Sequence, residues 1–160
     1  MIGRKKSAGI LPYRTRDGRL QVLLVHPGGP FWARKDDGAW SIGKGEYGDD
    51  EDAFDAALRE FEEETGHRPS GTFVALAPIR QPSGKVISAW AVDDAWDLAG
   101  FRSNTFTMAW PRGSGRMQTF AEADKAQWFD LAQAATKIVP GQRGFLQQLA
   151  EHLRGSEPAR

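Results

Sequence analysis

Short apolar bursts separated by turn residues fill the first part of the chain, and one stretch of helical period follows them. Ala8, Ile10 and Leu11 mark a strand over residues 7–14. Residues 20–25 form a β-rich apolar run interrupted once by Gln21. Arg16-Asp17-Gly18 supplies a turn between the two, which suggests a hairpin, and Pro27-Gly28-Gly29-Pro30 ends the second strand. Residues 31–38 read as loop, and Trp40-Ser41-Ile42 as a brief extended piece leading into glycines. Residues 50–65 give the clearest helix. Residues 73–79, 85–92 and 105–110 read as strands, punctuated by Pro78, Pro82, Ser83 and Gly84. A further strand covers residues 127–130. A last helix covers residues 142–153, with Phe145, Leu146, Leu149 and Leu153 at helical spacing. Strands, a helix, more strands and a terminal helix predict an α+β fold, with a mixed sheet flanked by helices.

The central helix is unusual in where it puts its acids. At about 100° per residue, Phe54, Ala57, Leu58 and Phe61 form one apolar stripe. Glu60, Glu63 and Glu64 fall on one flank of it, above the small Ala53 and Ala56, and Asp55 and Glu62 fall on the other. Asp49 to Asp52 complement the positive end of the helix dipole, and Gly66 suits the left-handed position after the last turn. Arg59 can reach back to Glu51 or Asp55 as a bidentate partner.

Composition narrows the chemistry. The chain has 160 residues, 40% hydrophobic and 26% charged, enough for a packed core and consistent with one domain over residues 1–160 with short flexible ends. It has no cysteine, which excludes disulfides, thiolate catalysis and cysteine-bound zinc. No apolar run is long enough to span a bilayer, and no apolar segment follows the basic residues 4–6, so neither a membrane partner nor a secretory signal is expected and a cytoplasmic location fits. Basic and acidic residues balance at 21 each, so no overall basic field for duplex nucleic acid exists. The balance conceals a segregation: ten of the acids lie between Glu46 and Glu64, opposed only by Arg59. Such a run is either a solvated acidic helix face with one salt bridge or a cation site. Three neighbouring carboxylates repel one another, and a hard divalent cation that prefers oxygen ligands relieves that repulsion.

Gly45, Glu51, Arg59-Glu60-Phe61, Glu63-Glu64 and Gly66 reproduce, with every fixed letter in place, a pattern that resembles the signature of the Nudix hydrolases, G-x5-E-x7-R-E-U-x-E-E-x-G-U, with U a bulky aliphatic. Phe61 fills the first U, and His67 departs from the second. The resemblance implies a Nudix-type α/β/α sandwich with a mixed sheet between helices. It also implies Mg2+ (or Mn2+) as cofactor and hydrolysis of a diphosphate linked to another moiety. Carried over by position, Glu60 and Glu64 are the principal metal ligands, Glu63 is an additional ligand or the base, and the Lys44 carbonyl is a further ligand. Glu51 and Arg59 orient these groups. Members differ in their general base, and Glu122, in Phe120-Ala121-Glu122-Ala123-Asp124, is the candidate outside the motif; the alternative is an ordinary loop carboxylate.

Trp40-Ser41-Ile42-Gly43-Lys44-Gly45-Glu46 resembles a W-x-[aliphatic]-P-K-G-x stretch of the diadenosine polyphosphate and diphosphoinositol polyphosphate hydrolases. That makes Lys44 and Trp40 candidates for substrate contact. Gly43 stands where that stretch has proline, which is expected to loosen the loop. Phe31, Trp32, Trp40, Trp90 and Trp110 are candidate base platforms or simply core residues, and Lys5, Arg80, Lys85, Arg112 and Arg116 are candidate phosphate contacts. His26, His67 and His152 have no metal-like spacing and read as structural or surface residues. Gly38 to Lys44 approaches a P-loop but lacks the hydroxyl residue after the lysine, since Gly45 stands there. The expected partner is a small nucleotide or polyphosphate, with dinucleoside polyphosphates or nucleoside triphosphates favoured as substrate, and a homodimer is left open. The competing function is a non-catalytic module of the same fold that senses a nucleotide or docks on a partner.

Overall fold

In the computed structural model, which describes residues 5–155, the first strand organises the rest. The outermost parts of the ends expected to be flexible lie outside the described residues. Strand β1 (Lys6–Arg16) pairs with β2 (Arg19–Pro27) antiparallel near its C-terminal end, across the Asp17-Gly18 turn. Near its N-terminal end it pairs on that same side with β3 (Gly43–Glu46), from Ser7 opposite Glu46 to Ile10 opposite Gly43. Its other edge runs parallel to β6 (Val86–Asp93) along eight positions from Lys6 to Tyr13. Beyond β6 lie β4 (Phe73–Ala75) and β5 (Ile79–Arg80), and beyond β2 lies β9 (Ala123–Asp130). The sheet is therefore mixed, as expected.

Helices cover both faces. Helix α1 (Ala53–Thr65) sets Ala56, Ala57 and Phe61 against Ala8, Ile10, Leu23 and Val92. On the opposite face, α2 (Leu131–Lys137) and α3 (Arg143–Gly155) bring Ala134, Phe145, Leu146 and Leu149 against Leu11, Val22, Leu24 and Ile87. Adjacent β1 residues such as Ile10 and Leu11 thus serve different cores, as the two-residue period of a strand requires. Strands β7 (Thr105–Ala109) and β8 (Met117–Ala121) form a separate hairpin, paired only with each other. Among the described residues no helix is long and apolar enough to cross a membrane.

Several elements differ from the sequence reading. The motif helix starts at Ala53, because the extended Asp52 caps it by accepting from the Asp55 amide at 3.2 Å. Ala56 is fully buried in the core instead of lying beneath the acids on an open flank. The strand read over residues 73–79 is two strands, interrupted around Pro78, which has no amide to give the ladder. The piece expected at residues 40–42 contributes only isolated bridges, and the regular strand is the glycine-rich β3 that follows. The sequence carries no pattern that marks β8 or α2. β8 is flanked by polar and glycine residues, and α2 spans seven residues, too few to show a period.

Gly43 is not loose. It is buried at the start of β3, and a Cβ built on it would stand 2.7 Å from Cδ2 of Phe61. The ring at the first bulky position of the motif packs where a side chain at 43 would otherwise be. Gly43→Ala should therefore destabilise the protein by about 1–3 kcal/mol through overpacking. Adding Phe61→Leu to it should recover much of the loss, and a double-mutant cycle of thermal or urea unfolding would show strictly additive effects if the two positions do not compete for this space.

Candidate active site

Helix α1 and strand β3 pack against one another, and their facing edges carry the acids and the lysine. Gly45 is the point of closest approach. A Cβ built on it would lie 1.9 Å from Glu60 Oε2 and 2.1 Å from the carboxyl carbon. The bare backbone lets the Glu60 carboxylate rest on β3. Of the two partners the spacing allows, Arg59 takes Glu51: Nε donates to Glu51 Oε2 and Nη2 to Glu51 Oε1, both at 2.8 Å. This fork holds the Glu51 carboxyl below the usual range and raises the guanidinium further. The remaining nitrogen, Nη1, donates to Glu60 Oε1 at 2.8 Å and to Glu63 Oε1 at 3.3 Å. Arg59 thus links Glu51 to two of the three clustered glutamates.

Charge and burial work against each other at this edge. Burial pushes the Glu60 carboxyl up, Arg59 draws it down, and the charges of Glu63 and Glu122 push it up again. Glu64 is the extreme case: burial, with Glu122 and Glu60 adding repulsion against relief from Lys44, raises it to about 8. Lys44 shows the mirror effect. Burial lowers its ammonium, Lys85 adds repulsion, and Glu64, Glu46 and Glu60 oppose the change.

Glu122, remote in sequence, is brought close enough to Glu60 and Glu64 for its charge to act on both. Backbone bonds fix it there. Asn104 N donates to Glu63 O at 2.7 Å, Glu122 N to Asn104 O at 2.8 Å, and Gly28 N to Glu122 O at 2.9 Å. Asn104 and Gly28 carried no sequence signal for this bracing.

The donor set is all oxygen and carries uncompensated negative charge in a partly buried place, which suits a hard divalent cation. The oxygens are shared with Arg59 and Lys44 instead of converging. Among the described residues no group of three or more His, Asp or Glu side chains is arranged to hold a metal ion. A cavity of ≈ 580 Å3 opens beside α1, bordered by Asp55, Leu58, Glu62 and the site residues Arg59 and Glu63 on the helix and by Arg102 and Asn104 beyond it. Glu60 and Glu64 do not line it.

Trp40 is not at this edge. It is only 2% exposed, packed edge-on against Phe129 at 4.9 Å and His26 at 5.2 Å, and it donates from Nε1 to Asp36 at 2.8 Å. Its aromaticity serves the core, which corrects its assignment to substrate contact. Trp90 likewise packs on Phe54. Lys85 pairs with Glu46 at 3.4 Å, while Lys5, Arg80 and Arg116 are exposed. His26 is buried between Asp124 and the Lys35 carbonyl. His67, the departure from the motif, stacks on Trp96 at 4.4 Å and contacts Asp94 at 2.8 Å, so an aromatic ring does the packing expected of an aliphatic there. His152 is exposed on α3.

A model of the NUDIX domain family matches residues 3–149. No curated protein matches the chain in sequence. Among solved structures, the NUDIX domain of Shewanella oneidensis NrtR, complexed with ADP ribose, is similar at a TM-score of 0.67 and 17% identity, over 96% of this chain and 90% of that one. An Ap4A hydrolase of C. elegans, in a binary complex, gives a TM-score of 0.63 at 22% identity, over 94% of this chain and 98% of that one. RenU, a Nudix hydrolase of M. smegmatis, gives 0.60 at 20% identity, over 100% and 92%. At these identities the likeness is one of fold.

Proposed function

Because the chain belongs to the Nudix hydrolase family, we propose that it is a divalent-metal-dependent pyrophosphohydrolase that cleaves a phosphoanhydride bond of a nucleotide, with dinucleoside polyphosphates or nucleoside triphosphates as the favoured substrates. One observation carries this reading. Glu60 and Glu64 are held at one edge of β3, Glu122 is braced beside them, and Arg59 is clamped by Glu51. A module that only docks has no need for a repulsive cluster supported so completely.

Glu60 and Glu64, joined by Glu63 and the Lys44 carbonyl, would hold Mg2+ or Mn2+, which when bound neutralises charge on the phosphoryl oxygens and acidifies the attacking water. Glu51 fixes the Arg59 fork, and the fork holds Glu60 and Glu63 beside one another, within reach of a cation that would take over their oxygens. Glu122 is the candidate base, since it is exposed and near Glu60 and Glu64 without lying on their helix. The Lys44 ammonium, beside Glu64, is available to a substrate phosphate as a point charge.

The test is phosphate or pyrophosphate release from nucleoside triphosphates, dinucleoside polyphosphates, sugar nucleotides and diphosphoinositol polyphosphates, with Mg2+ and with chelator. Metal-dependent turnover of at least one nucleotide is the expected result. Tight binding of a nucleotide with no turnover across the whole panel would establish a sensing module instead.

A further inference from the structure

Exposed large hydrophobic side chains are concentrated in one place. Among the described residues they are Phe31 (47% exposed) and Trp32 (36%) in the loop after β2, and Met117 (64%) at the start of β8. The loop and the β7–β8 hairpin lie side by side. Phe31 meets Trp110 edge-on, with centroids 5.3 Å apart. Cations cover the rings: Arg112 is 5.9 Å from the Phe31 centroid and Lys35 is 4.9 Å from that of Trp32. Residues 28–35 and 105–121 together contain Arg34, Lys35, Arg112 and Arg116 and no acid. In a chain without net charge, this basic strip borders the acidic cluster.

The strip begins at the candidate active site. Gly28 donates to the Glu122 carbonyl, and a Cβ built on Gly29 would stand 2.9 Å from the Phe106 ring. Phe31 follows Gly28 by three residues, which keeps it within about 11 Å. Trp110 lies five residues beyond Thr105, roughly 17 Å along an extended strand. A base joined through one ribose to the attacked phosphorus stays beside the acids. A base separated from it by further phosphates reaches this strip, and its phosphates pass the cations on the way. Exposed aromatics interleaved with Arg and Lys are the combination that stacks bases while drawing in phosphates.

We propose that Phe31, Trp32, Trp110 and Arg112 form a subsite for the distal nucleoside of a dinucleoside polyphosphate. The assignment rests on the hydrolase reading for its substrate class but is testable apart from it. Tryptophan fluorescence of the wild type should be quenched by a non-hydrolysable, methylene-bridged dinucleoside polyphosphate and much less by a matching nucleoside triphosphate analogue. In Phe31→Ala and Trp110→Ala, the apparent Kd for the two-based analogue should rise about tenfold, within the range of a lost base–aromatic stack. The ratio of kcat/KM for the dinucleoside substrate to that for the triphosphate should fall to match, through KM, and Phe31→Tyr should restore it. If quenching and its loss in the variants persist without turnover, the hydrolase reading fails and the subsite stands. The subsite is overturned if turnover occurs with an unchanged substrate ratio, or if both ligands weaken equally. A single-stranded oligonucleotide that competes better than the dinucleotide overturns it as well, as does a dimer that the variants dissociate.

Discussion

Glu64→Gln should abolish nucleotide hydrolysis while leaving the fold intact. In the proposed function Glu64 is a ligand of a cation worth several kcal/mol to the transition state, and its loss corresponds to a fall on the order of a hundred- to a thousandfold in kcat. The same variant has a stability signature. Glu64 titrates at about 8 in the folded protein against an ordinary 4.5. Between these values the folded state keeps a proton that the unfolded chain has released, so stability falls as pH rises across that window. The contribution is intact below about 4.5 and gone above about 8. An amide at 64 removes this dependence. In chelator, wild-type melting temperature should drop between about pH 5 and about pH 9 by clearly more than that of the variant. Mg2+ at the higher pH should restore the wild type alone. Parallel pH profiles for the two proteins, or near-normal turnover in the variant, would remove Glu64 from the metal site.

Gly45→Ala is the second severe change. The added methyl would occupy the place of the Glu60 carboxylate, 1.9 Å from Oε2, so the side chain has to leave β3 and break its 2.8 Å contact with Arg59. Misplacing a positioned group by about 1 Å can cost on the order of a hundredfold in rate, and kcat should fall by about that much. Stability should change far less, because Glu60 lies at the edge of the core. Kinetics beside a thermal melt would check this, and an equally large loss of stability would mean that Gly45 matters to the strand and not to the acid.

The carboxylate helix was legible because three signals coincide in residues 50–66: an apolar stripe, acids at adjacent helical positions, and a terminal glycine. The family pattern fell on the same residues, and the Glu51–Arg59 clamp followed from it. Elements held only by tertiary partners stayed hidden. β3 is Gly-Lys-Gly-Glu, a poor strand by propensity, and exists because β1 offers it an edge. Trp40 misled because its neighbours in sequence do approach the site, while its own ring turns into the core. The proximity of Glu122 to Glu60 and Glu64 depends on where the hairpin begins, which no local pattern specifies.

Halfway along its length, β1 exchanges one neighbour for another, β3 for β2, on a single side. The sheet forks there, and β3, the strand that bears Lys44 and Gly45, is woven into the fork instead of being draped across it. The Glu60 carboxylate that rests on β3 is therefore tied to the frame of the sheet. The β7–β8 hairpin, whose strands pair only with each other, stands outside that weave, so the molecule sets a thumb beside an anvil.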